Sequence, residues 1–192
     1  METADKIRAF LAIELNDRQT TAKILDAQTA LQSKLGPLKL TDLKILHLTL
    51  CFYGDISIKQ AENVYNNIVV PINSKYFSAP LKSEIKGVGK FGKNVYFIKM
   101  EKNIDILQEI VDFIREQNSK MNMSFDNKNF NPHLTIARSK SGRAPAKNYG
   151  ALWNEWENNY KNMNFGPFTL NRIHLKKSTL TPKGPIYENL EF

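Results

Sequence analysis

The sequence predicts a bilobal α+β fold in which two similar halves present antiparallel sheets to each other across a central cleft, with helices outside. Three observations carry this reading. His-Leu-Thr-Leu at 47–50 returns as His-Leu-Thr-Ile at 133–136, the two histidines lying 86 positions apart in a chain of 192 residues that has only three. The strand-like run RAFLAIEL (8–15) maps at that offset onto NVYFIKME (94–101) and brings Phe10 onto Tyr96. At the same offset Gly36 and Asn122, the residue types that best tolerate a left-handed C-cap, end a helix in each half. Separate features that share one offset mark an internal repeat. We therefore expect a single domain over 1–192, with lobes spanning 8–86 and 94–177.

In the first half, Asn16 or Asp17 can cap a helix whose Ile24, Ala27, Leu31 and Leu35 follow helical spacing. The strand HLTLCFYGD (47–55) follows. Alternation puts His47 and Thr49 on one face and Leu46, Leu48 and Leu50 on the other, so the leucines build core. SIKQAENVYNNIV (57–69) reads as a second helix, and a strand near 76–86 completes the lobe.

In the second half, Asn103 can cap a helix carrying Ile104, Leu107, Val111 and Ile114. The strand HLTIARSKS (133–141) sets His133 and Thr135 opposite Leu134 and Ile136. APAKNYGALWNEWENNY (144–160) is a less regular helix with Trp153 and Trp156 as core, and a strand near 168–177 closes the lobe. GVGKFG (87–92) matches the dinucleotide fingerprint only formally, because a strand rather than a helix follows it; a turn joining the lobes is the expected role.

A chain of this length buries roughly 70% of its unfolded surface without staples. With 42% hydrophobic and 24% charged residues it has an ordinary globular composition. The charge of +8 suits an anionic partner. The single cysteine, Cys51, points to a reducing, cytoplasmic setting. The opening apolar run breaks at Glu14 with no cleavage site after it, and no run nears the roughly 18 residues of a membrane span, so no membrane partner is expected.

Two imidazoles and two hydroxyls converging on one cleft make a phosphate site. At neutral pH one imidazole can accept a proton while the other donates one, which is the chemistry of phosphodiester cleavage. Threonine hydroxyls can bond nonbridging oxygens. A zinc site from His47, His133 and His174 lacks nearby cysteines or paired carboxylates, so neither metal nor cofactor is expected. His174 alternates with Arg172 and Lys176 on one strand face; it either lines the cleft or faces water, and water is the expected surrounding. Cys51 shares the His47 face under strict alternation but lies about 13 Å along the strand, too far for a Cys-His pair.

These motifs resemble those of the two-histidine phosphoesterase superfamily, defined by two H-x-[ST]-x motifs in a duplicated fold. RAFLAIEL, HLTLCFYGD, GVGKFGKNVYF, FNPHLTIARSK and IHLKKSTLTPKGPIYENLEF together are similar to the RNA 2′,3′-cyclic phosphodiesterases, also called 2′-5′ RNA ligases (ThpR/LigT type). The resemblance implies opening of a terminal 2′,3′-cyclic phosphate on RNA, tRNA fragments among the candidate substrates, to a 2′-phosphomonoester; the two-imidazole chemistry needs no metal, and a monomer is expected. In some members it also implies reversible 2′-5′ joining. It implies His47 as proton donor, His133 as proton acceptor, and Thr49 and Thr135 as phosphate ligands. Arg138 would bind phosphate provided a bulge near Ala137 turns it onto the His133 face. Phe10 and Tyr96 are candidates for stacking on a terminal base, with core packing as the competing reading. Cys51 stands where many relatives carry a basic residue. A noncatalytic RNA-end-binding protein and a phosphodiesterase for 2′-5′ oligoadenylate or another small cyclic nucleotide are the alternatives.

Overall fold

A computed structural model describes residues 6–140, 147–182 and 184–192. In chain order its elements are β1 (Lys6–Glu14), α1 (Arg18–Leu35), β2 (Leu38–Leu40), β3 (His47–Ser57), α2 (Ile58–Val64), α3 (Val70–Tyr76), β4 (Leu81–Phe91), β5 (Val95–Met100), α4 (Ile104–Lys120), β6 (His133–Ser139), α5 (Tyr149–Tyr160), β7 (Asn164–Leu170), β8 (His174–Thr181) and β9 (Gly184–Leu190). The expected helix from 144 starts at Tyr149, and residues 141–146 lie outside the described residues. No described helix is long and apolar enough to cross a membrane.

The strands form antiparallel neighbours in the order β7-β4-β5-β6-β3-β1-β8-β9, with β2 against β6. Two four-stranded halves meet where β3 and β6 share one residue pair, Leu48 with Leu134. The completing strands are exchanged relative to the expected lobes. β4 pairs with β5 and β7 in the second half, whereas β8 pairs with β1 and β9 in the first. The turn at Gly92 explains β4: Phe91 pairs with Val95, so the two strands are hairpin partners and must share a sheet. GVGKFG is accordingly strand plus hairpin turn, within one half.

The helices are exchanged as well. α1 packs on α5 and β7, with Trp156 Nε1 donating to the Ala27 carbonyl at 3.1 Å and Thr20 Oγ1 to that of Pro167 at 2.9 Å. α4 packs on β3. One continuous core results, running from Ile13 and Ile24 through Leu48 and Leu134 to Trp156 and Phe168.

Local signals explain the helix ends. Asp17 caps α1 by accepting from the Gln19 and Thr20 amides at 3.0 and 3.4 Å. Ser57 and Gln60 form a capping box for α2. A single π turn, Tyr65–Val69, links α2 to α3, which carries Pro71 in its first turn and extends the helical stretch beyond the expected residue 69. Asn103 differs from expectation: it is left-handed, and its amide donates to the Lys82 carbonyl instead of capping α4. At the other end of α4, left-handed Asn122 and the Met123 N–H to Asn118 carbonyl bond of 2.9 Å close a Schellman turn.

Candidate active site

His47 and His133 open β3 and β6, the two strands at the centre of the sheet. Antiparallel pairing about Leu48 and Leu134 sets His47 across from Thr135 and Thr49 across from His133. All four lie on the face opposite the two buried leucines. Diagonal positions of this kind are roughly 7 to 8 Å apart, a span that a phosphate can bridge.

Both rings are fixed in the same way. His47 Nδ1 donates to the Ile45 carbonyl at 2.7 Å, and His133 Nδ1 to the Asn131 carbonyl at 2.6 Å. A carbonyl can only accept, so Nδ1 holds the proton in each ring and Nε2 is the exchangeable nitrogen. Each ring also rests on a pair of aromatics. Phe10 and Tyr187 lie 5.1 and 5.3 Å from His47, and Phe97 and Phe91 lie 4.9 and 5.0 Å from His133. Burial lowers both imidazoles below 6.5, the backbone bonds partly opposing it. Arg138 is near enough to lower both further.

Arg138 reaches this face through a bulge. Tyr96 pairs with Ala137 and Phe97 with Thr135, so Ile136 is the extra residue and the alternation changes phase after it. The expected bulge thus lies one residue earlier than Ala137. β3 does the same: Leu11 pairs with Cys51 and Ala12 with Thr49, leaving Leu50 extra. Cys51 therefore turns away from the His47 face into the core, where burial pushes its thiol up to about 12. Phe52 takes its place beside Phe10, the rings stacked at 5.3 Å. A cavity of about 780 Å³ runs from Thr49, His133, Thr135 and Arg138 past Phe52 and Phe91 to Arg115 of α4. Among the described residues no three His, Cys, Asp or Glu side chains cluster as a metal site.

The sequence profile of the AKAP7 2′5′ RNA ligase-like domain matches residues 9–191. An RNA 2′,3′-cyclic phosphodiesterase of Methanocaldococcus jannaschii is 31% identical over 186 residues, spanning 95% of this chain and 97% of its own. The chain belongs to the two-histidine phosphoesterases, in the ThpR/LigT family. A second similar protein, the RNA 2′,3′-cyclic phosphodiesterase of Aquifex aeolicus, is 34% identical over 167 residues, 80% of this chain and 84% of its own. In fold, this phosphoesterase is similar to TT0787 of Thermus thermophilus, at a TM-score of 0.74, 24% identity and 96% coverage of both chains. Escherichia coli LigT complexed with 3′-AMP gives 0.62 and 17%, over 97% of this chain and 96% of its own.

Within this phosphoesterase the two base-stacking candidates are displaced. Phe10 is fully buried against His47, so it supports the ring and has no free face. Tyr96 points the other way, into the core beside Trp153 at 5.7 Å, with its hydroxyl on the Lys93 carbonyl at 3.0 Å. The cause is a slip of one residue. Glu14 faces His47 but Lys99 faces His133, an offset of 85 rather than 86, and a one-residue slip reverses every side chain. Phe10 thereby corresponds to Val95, and Tyr96 to Leu11.

Phe52, Phe91 and Tyr187 were not legible as site residues because a bulge or hairpin closure brings them there, and Phe97 because the one-residue slip hid its face. Gly89 was legible only as part of a glycine cluster, yet a Cβ there would stand 2.6 Å from the Phe97 ring that backs His133. His174, expected to face water, is half-buried, and Lys176 two residues on is buried in an ion pair with Glu14.

Proposed function

We propose that this protein opens the terminal 2′,3′-cyclic phosphate of RNA to a 2′-phosphomonoester without a metal, acting as a monomer on RNA ends such as tRNA fragments. The observation that carries the reading is the matched anchoring of two imidazoles by the carbonyls two residues before them, on one face of adjacent strands. His133 Nε2 takes a proton from water as it attacks phosphorus; His47 Nε2, protonated, gives one to the departing O3′. Charge building on the nonbridging oxygens is met by the Thr49 and Thr135 hydroxyls and by Arg138. Burial alone favours neutral rings in the free protein, but the phosphodiester anion favours the charged form of the donor once it binds.

Phe52 and Phe91 are 36% and 41% exposed, line the cavity, and supply the aromatic faces that Phe10 and Tyr96 cannot. An RNA end longer than one nucleotide fits a cavity of this size better than a lone cyclic nucleotide does. The same cavity would admit a 5′-hydroxyl nucleoside in place of water, the geometry 2′-5′ joining requires. The decisive experiment is incubation of RNA ending in a 2′,3′-cyclic phosphate with the protein in EDTA, followed by identification of the monoester. A 2′-phosphate is expected; an unchanged cyclic end or a 3′-phosphate overturns the reading.

A further inference from the structure

One side-chain bond recurs in the two halves. Gln28 of α1 donates from Nε2 to the Thr41 carbonyl at 2.8 Å, and Arg115 of α4 donates from Nη2 to the Lys128 carbonyl at 2.5 Å, each reaching 13 residues along the chain. Their surroundings differ. Gln28 is buried and gives its second N–H to the carbonyl of Ile136, the bulge residue of β6, while β2 pairs alongside, so that flank of the sheet is sealed. On the other flank, among the described residues, a single backbone bond ties the segment before His133 to the outer part of β3, from the Asp126 N–H to the Phe52 carbonyl at 2.9 Å. Among those residues Arg115 makes no bond to Leu50, the matching bulge residue of β3. The cavity opens here, in the space that β2 and Gln28 fill in the other half.

We propose that Arg115 binds the phosphate on the 5′ side of the terminal nucleoside, so that the cavity selects a cyclic end that continues into a strand over an isolated cyclic nucleotide. The proposal rests on the cyclic-phosphate reading and extends it along the RNA. A guanidinium stays charged at any working pH and offers five N–H donors in a planar fork that matches phosphate. Among the described residues only the Lys128 carbonyl takes a hydrogen bond from Arg115. The Asp112 carboxylate, 3.7 Å away and 60% exposed, is a weak partner, whereas the Arg115 side chain is only 28% exposed. Lys128 is exposed and paired with Asp126 at 2.9 Å, which leaves Arg138 and Arg115 as the cations at the two ends of the cavity. Arg138 meets the reacting phosphate. A terminal base resting on Phe52, between those ends, directs its 5′ oxygen and the next phosphate toward α4. Phosphate contacts of this kind position a strand without reading its sequence.

Two dinucleotides ending in a 2′,3′-cyclic phosphate test this. Both carry a 2′-deoxy upstream sugar, and they differ only in the linkage, a phosphodiester in one and an uncharged methylphosphonate in the other. Wild-type protein is expected to favour the charged linkage about tenfold in kcat/KM, and Arg115→Gln to bring the two linkages within about twofold of each other. The glutamine keeps an amide donor for the Lys128 carbonyl, as Gln28 does for Thr41. Equal turnover of both linkages by wild type, or an undiminished preference in Arg115→Gln, overturns the proposal. The wild-type comparison needs no variant and decides the matter if Arg115→Gln folds poorly. Wild type that opens neither dinucleotide sinks the cyclic-phosphate reading instead. Equilibrium binding of the same pair then judges the subsite, a difference of about tenfold supporting it and equal affinity overturning it.

Discussion

Leu50 of β3 and Ile136 of β6 are equivalent, each the extra residue of a bulge three positions after its motif histidine. Because of that match, the chain presents Phe52 and Arg138 on the face that His47, Thr49, His133 and Thr135 occupy, and tucks Cys51 and Ala137 into the core. The site is thus built by two identical interruptions of regular pairing.

His47→Ala and His133→Ala are each expected to lower turnover of cyclic-phosphate RNA by about 10² to 10⁴. Neither ring carries core packing comparable to Leu48 or Leu134. Thermal melts close to wild type alongside lost turnover are the expected pair of results; collapse of the melt would show a structural role instead.

Arg138→Ala is expected to weaken phosphate recognition by about 1.5 to 3 kcal/mol, seen as a loss in kcat/KM of roughly 10- to 150-fold. Arg138→Lys recovers only part of this, since an ammonium lacks the planar fork. Full rescue by lysine would reduce Arg138 to a point charge.

Phe52→Ala is expected to raise KM for an oligonucleotide end while leaving kcat near wild type, and Phe91→Ala, which also removes a support of His133, to raise KM and lower kcat, each stacking contact being worth about 1 to 3 kcal/mol. Equal effects on a mononucleoside cyclic phosphate and on a longer RNA would remove the strand-binding role assigned to the cavity.

Stability is expected to fall as pH drops from 8 toward 5.5. His47, His133 and His174 all lie below 6.5 in the folded chain, so the unfolded chain binds more protons through this window and stability rises with pH. The stabilisation is complete above about 6.5 and is lost as pH falls through the folded values. Glu14, Glu84 and Glu109 are lowered carboxylates and act at more acidic pH. Thermal melts across this range check the slope, and a flat profile would contradict the histidine assignments.

Gly89→Ala is expected to impair turnover more than it lowers Tm, because the added methyl meets the Phe97 ring, which leans on His133. Equal losses would mean that Phe97 serves packing alone. Trp156→Ala is the contrasting case, with an expected cost of about 3 to 5 kcal/mol from its place beneath α1.

The paired motifs and their faces were legible because alternation holds for the three residues from His47 to Thr49 and from His133 to Thr135. Beyond them it fails: the bulges at Leu50 and Ile136 change the phase, and neither is signalled by glycine or proline. The slip between β1 and β5 hid in the same way, since one residue more between Lys99 and α4 than between Glu14 and α1 leaves the helix alignment intact. Sheet membership was the other loss. Periodicity shows that residues 81–91 form a strand but carries no information on which half they join; the hairpin at Gly92 decides that.

The crossed placement of α1 and α4 governs the order in which a nascent chain can become protected. When synthesis has passed Phe91, β1 and β3 still lack both β8 and the roof that α4 provides, so their apolar surfaces stay wet until the C-terminal residues emerge. A scission engineered in the Gly92 turn would therefore be tolerated by the finished protein, yet give two inert pieces if made before folding, recoverable only by mixing them.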